Sequence, residues 1–189
     1  MNIDTPNNHI ESVYYIQFRT GLEQIIAQVE SADAFHLALY HASMVSMMEK
    51  YLFDVFINEI ETSNNAFLKM SQMDRFKNLS YKLSVILNNE IKKIVIDTVK
   101  NMIWHRLNDI EPLFKNVMGI KFNISKRLTD IIKDRHDIVH RNGYNLAGGV
   151  VDLSRSKVTD ANETLKAFIL DIDKKYYNYK EKSEPLLPQ

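Results

Sequence analysis

Cysteine is absent from all 189 residues, so the chain can form no disulfide and offers no thiolate to a metal. A reducing compartment is the natural expectation. Glycine and proline are scarce, five and four in the whole chain, and three of the glycines crowd between Gly143 and Gly149. Such thin punctuation argues against a fold of many short strands and turns, and favours long helices. The longest stretch without a charged side chain, Ala34 to Met48, is too short to cross a bilayer and carries His36 and Ser43. The opening MNIDTPNNHIES has no basic stretch followed by an apolar one, so it does not read as a signal peptide, and a cytoplasmic protein with no membrane contact is expected. Net charge is lacking as well: 24 basic residues balance 24 acidic ones, which argues against general, charge-driven coating of nucleic acid but leaves room for a local basic surface.

The residues that are present give an ordinary globular profile, with 45 % hydrophobic and 25 % charged. Length suits one domain over 1–180, followed by a disordered tail over 181–189. A first helix is predicted from about Asn8 to Glu30, its apolar face made by Val13, Ile16, Leu22, Ile25, Ile26 and Val29. Ser31 or Asp33 caps a long second helix through Ile60, striped by Leu37, His41, Val45, Met48, Leu52 and Phe56 at steps of three and four. ETSNN breaks it. The polar stretch 66–89 reads as short helices with a loop. Further helices are predicted over 90–103 and 105–117, the latter open to division at Pro112 and ended by Gly119. Ser125 opens another helix with Gly143 as its left-handed cap, GYNLAGGVVDLS forms a loop with an extended piece at Val150 and Val151, and a last helix starts near Ser154. The fold class is all-α, a helical bundle.

The segment KDRHDIVHRNG, Lys133 to Gly143, carries the chemistry. On a helical wheel Leu128, Ile131, Ile132, Ile138 and Val139 share one side, and Arg135 lands in the middle of it. A guanidinium on an apolar stripe is costly unless it is paired or faces a polar cleft, and its planar fork suits a carboxylate or a phosphate. Glu49, at the edge of the stripe on the second helix, is the candidate partner. Such a bridge is compatible with function, because a supporting carboxylate is an ordinary way to hold a working arginine. His136 and His140 sit together on one flank, while Asp134, Asp137 and Arg141 are expected to point away. The two histidines match the spacing of a zinc pair, but there is no glutamate between them and no third ligand near in sequence, so the reading is no metal. His41 reads as a core or cap histidine, and His9, His36 and His105 have no comparable context. Trp104, Tyr176, Tyr177 and Tyr179 read as packing or surface residues.

Arg135-His136-Asp137-Ile138-Val139-His140 resembles the signature of HEPN domains, an arginine followed five residues later by a histidine. RHDIVHRNG followed by GGVVDLS, the stretch MMEKYLFDVF with its Glu49, and LFKNVMGI are similar to the prokaryotic branch related to the RiboL-PSP group. The resemblance spans roughly Ala34 to Tyr176. It departs at His136, where many members carry asparagine, and at Asn142, where a toxin subgroup carries tyrosine. The resemblance therefore does not extend to modification of that tyrosine.

The resemblance implies an all-α bundle with a long antiparallel helix pair and additional packed helices. It also implies a metal-independent endoribonuclease, without cofactor, acting on RNA as a homodimer. Arg135, His140 and His136 would be catalytic, Glu49 and Asp137 supporting, and Arg141, Lys133 and Asn142 would contact the RNA backbone. A two-fold interface sets a patch against itself, so the motif helix would lie there and bring two copies of Arg135 and His140 into one cleft. In the last turn of its helix, His140 meets exposed carbonyls that favour its protonated form. Products would be a 2′,3′-cyclic phosphate and a 5′-hydroxyl. The setting would be phage defence or a toxin system, with an antitoxin or regulatory protein as partner. The alternative is a non-catalytic module binding nucleotide, RNA or protein, with Arg135 and Glu49 kept for folding.

Overall fold

Side-chain caps decide where the helices begin. The computed structural model describes residues 9–87 and 91–183. The Ser12 hydroxyl accepts the Tyr15 amide ahead of α1 (Val13–Val29), and the Asp33 carboxylate accepts the His36 amide ahead of α2 (Ala34–Thr62). Ser63 then ends α2 and, through its own hydroxyl, caps α3 (Asn64–Ser71). Short helices follow as α4 (Asp74–Lys77) and α5 (Leu83–Leu87), then α6 (Ile91–Lys100). The helix α7 (Leu107–Met118) contains Pro112 without being divided, and Gly119 closes it at a φ of 74° that glycine adopts without strain. Ser125 caps α8 (Lys126–His140), and α9 (Arg155–Ser183) completes nine helices among the described residues. There is no strand among them, only an isolated bridge between Tyr144 and Val150.

The core is built on α2. Every member of its stripe, Leu37, His41, Val45, Met48, Leu52 and Phe56, is buried. α1 folds back on α2 as an antiparallel hairpin, and Gly21 lets the two approach, since a Cβ there would lie 2.9 Å from the Met47 sulfur. The two longest helices, α2 and α9, run in the same direction: Arg155 bonds to the carbonyls of Val29 and Ala32, Tyr51 reaches Asp173, and Tyr179 reaches Glu59. α1 and α2 are thus antiparallel, and α9 lies parallel to α2. Residues 181–183 continue α9 rather than starting a tail, and the rest of the expected tail lies outside the described residues. The same holds for the expected start of the first helix at Asn8; α1 begins at Val13. No helix of the described residues is long and apolar enough to cross a membrane.

One chain of aromatic contacts fixes the region around the motif. Trp104 packs on Phe53 at 5.4 Å and on Phe56, Phe56 on Phe114 at 5.4 Å, Phe114 on Phe122 at 5.0 Å, and Phe122 on Phe168 at 5.5 Å. These rings tie α2, the turn before α7, α7 itself and α9 into one body. Because Trp104 is anchored between two rings of α2, its neighbour His105 is delivered to the same helix one turn back, at Glu49.

Candidate functional site: a shared carboxylate beneath the motif helix

Glu49 is the centre of the site. Its Oε1 lies 3.4 Å from Arg135 Nη2 and 3.1 Å from His105 Nδ1, so one carboxylate oxygen serves two cationic or proton-bearing groups. The three side chains are 21 %, 14 % and 17 % exposed, in the order glutamate, arginine, histidine. They are mostly dry without being sealed. Neither contact is an aligned hydrogen bond: Glu49 Oε1, His105 Nδ1 and Arg135 Nε are buried and lack hydrogen-bond partners. Buried polar atoms left in that state are uncommon in a finished core and cost free energy. The expected pairing of Glu49 with Arg135 is therefore present, but as a loose ionic contact.

The position of α8 explains why Arg135 faces inward. Leu128 and Ile131 are buried, and the carbonyl of Ile131 accepts from His41 Nε2 at 3.0 Å, which assigns His41 the core role expected of it. Burial pushes the His41 imidazole below its ordinary pKa, a tendency that the bond to Ile131 opposes. Arg135 lies one turn further along the same side, over Glu49. By the last turn the helix has left the core, and Val139, expected on the buried side, is 50 % exposed.

His136 and His140 pack with ring centroids 4.7 Å apart on the outer flank. His140 is exposed and His136 partly so. Partial desolvation, then the charges of Arg141 and His140, push the His136 imidazole below its ordinary pKa, while Asp137 acts the other way. A neutral imidazole is what a proton acceptor requires. Among the described residues no group of three or more His, Asp or Glu side chains gathers as metal ligands would.

Asp137 corrects the wheel. It does not point to solvent: it is 1 % exposed and pairs with the Arg141 guanidinium, while its carbonyl accepts the amides of Arg141 and Gly143 at 3.1 Å each. The helix ends at His140, and Asn142 and Gly143 both take positive φ, 52° and 84°, so the backbone wraps around Asp137. That turn folds the following chain back onto Asp137, and the Arg141 guanidinium pairs with its carboxylate. Lys133 and Asn142 are exposed, and Arg141 is held on Asp137. The loop that follows pairs Val151 N with Gly143 O at 2.8 Å, close to the extended piece expected at Val150 and Val151.

His105 is the residue that sequence reasoning missed. No local spacing links it to Glu49, which is 56 positions earlier; only the Trp104 anchor does so. Trp104 and Tyr176 are buried, in keeping with packing roles. No family model, curated protein or solved structure matches the chain.

Proposed function

We propose that the chain is a metal-independent endoribonuclease of HEPN type, acting as a homodimer with a composite site of Arg135 and His140. The observation that carries the reading is one helix, α8, that holds a guanidinium on Glu49 and carries two packed imidazoles on its adjoining flank, one of them with a lowered pKa. Cleavage needs a base for the 2′-hydroxyl, cationic stabilisation of the crowded phosphate and an acid for the 5′-oxygen. Arg135 clamps the phosphate, His136 accepts or shares the 2′-proton, and His140 protonates the departing oxygen. The phosphorus–5′-oxygen bond breaks as the 2′-oxygen attacks, which leaves a 2′,3′-cyclic phosphate and a 5′-hydroxyl.

Exposed apolar residues support a partner copy beside the motif: Val139, Tyr144, Leu146 and Val150 stand out from the bundle at or just after the end of α8. A two-fold contact there would set two motifs face to face. Phage defence or a toxin system, with an antitoxin-like protein as partner and the cytoplasm as location, is the biological setting proposed.

The test is cleavage of total RNA in excess chelator by the parent, Arg135→Ala and His140→Ala, with oligomeric state and helicity measured alongside. Both variants should stay folded and dimeric and lose cleavage. Equal cutting by all three proteins would defeat the reading. The second reading, a non-catalytic module, draws on the burial of the Glu49–Arg135 contact; it requires an inert parent and a marked fall in Tm for Arg135→Ala.

A further inference from the structure

A cavity lies beside the motif, and the reading above makes no use of it. It measures about 380 Å³ between the start of α7 and the first half of α8, walled among others by His105, Arg106, Asn108, Ile124, Thr129 and Ile132. At about 30 Å³ per water, such a space takes roughly a dozen waters, which is the low end for small-molecule sites. That is room for one sugar with its base. The walls are mixed as ligand sites usually are, with Ile124 and Ile132 giving apolar surface and Arg106, Asn108 and Thr129 giving hydrogen-bonding groups.

Its place on α8 links it to the motif. Thr129, Ile132, His136 and His140 follow one another at steps of three, four and four, a single row along the helix. With about 1.5 Å of rise per residue, His136 lies roughly 6 Å and His140 roughly 12 Å beyond Ile132. The cavity therefore opens at one end of a row whose other end is the exposed imidazole of His140. His105 connects the two a second time: it walls the cavity, and its Nδ1 lies on the same Glu49 oxygen that holds Arg135. His105 is also close enough for its charge to act on His136.

We infer that this cavity seats one unstacked nucleoside of the RNA strand whose neighbouring phosphate rests on Arg135, with His105 contacting that nucleoside. The inference rests on the RNA-cleaving reading and adds a direction to it, from the cavity along α8 to His140. It also names the substrate as single-stranded RNA. A base in a duplex stays stacked and paired, whereas a recess in the protein surface receives a base that has been splayed out.

The test is binding, independent of cleavage. The four nucleoside 3′-monophosphates are titrated one at a time, to millimolar concentration, into the full chain while the histidine ring resonances are followed by NMR. At least one should shift His105 together with His136 and leave His36, at the start of α2, unmoved. Thr129→Trp fills the cavity from an exposed position and should weaken that binding at least tenfold with unchanged helicity. If no nucleotide moves His105, or if Thr129→Trp binds as the parent does, the subsite is refuted. RNA cutting by the parent would then still uphold the nuclease reading. Conversely, binding at His105 by a protein that cuts no RNA would keep the subsite and remove the catalysis.

Discussion

Two carboxylates organise this molecule, and they are treated in opposite ways. Asp173, on α9, is saturated: His9 Nε2 at 2.9 Å, the Ser12 amide at 3.1 Å, the Ser12 hydroxyl and Tyr51 Oη at 2.9 Å all converge on it, and its side chain is 0 % exposed. Burial, then the negative charge of Asp173, push the Tyr51 phenol well above its usual pKa, so it stays a donor. Glu49, on α2, has two partners at looser geometry, with buried atoms on all three side chains left without a hydrogen bond. A fully bonded carboxylate fixes a structure; a partly bonded one keeps its partners available to something else. Asp173 locks α1 and its cap to the bundle. Glu49 holds an arginine of α8 and a histidine that walls a cavity.

Under the proposed nuclease reading, the largest effect that bears on this contrast is catalytic. Arg135→Ala and His140→Ala are each expected to lower RNA cleavage by about a thousandfold or more, measured with gel-resolved products in chelator. Next comes stability. Asp173→Ala strands Tyr51, Ser12 and His9, and is expected to cost about 3 kcal/mol, which lowers Tm by roughly 6–12 °C in calorimetry. Its cleavage rate per folded molecule should not change. If Glu49→Ala destabilised the chain more than Asp173→Ala, the contrast would collapse. Glu49→Gln keeps the volume and removes the charge. It should cost about 1 kcal/mol of stability and slow cleavage by about tenfold, through a less firmly held Arg135.

Acid gives a smaller effect with a definite sign. The pKa of His41 is depressed in the folded chain, so the unfolded chain takes up the proton first. Its share of stability is intact above about pH 6.5, the ordinary histidine value, and is lost as pH falls through the folded value. Asp134 nearby has a raised pKa from its own burial, and its charge partly supports a protonated His41. A denaturation series in the parent and in His41→Gln should show a shallower acid slope in the variant. Smallest of all, Arg127→Ala breaks an exposed ion pair with Asp160 and should change stability by less than about 0.5 kcal/mol.

Much of the fold was legible because its signals are local. Ser125 capping α8, Asp33 capping α2 and Gly119 ending α7 are each stated by one residue and its neighbours. The α2 stripe follows from steps of three and four, and its six members are all buried. Arg135 was legible as an anomaly on a stripe, and Glu49 as the carboxylate nearest to hand. His105 was not legible, nor was the burial of Asp137, because an aromatic anchor at Trp104 places the first and the second depends on contacts that helix periodicity does not contain. The wheel also failed at Val139, since periodicity does not say where a helix leaves the core.

Periodicity, capping residues and the scarcity of glycine and proline set the helices, their order and the arginine out of place among apolar neighbours, because those choices depend on residues within a turn or two of each other. Which way α9 runs beside α2, which carboxylate is saturated and which is shared, and the joining of His105 to Arg135 were decided only by packing. Such contacts join residues tens of positions apart, and only the closing of the core brings them within reach.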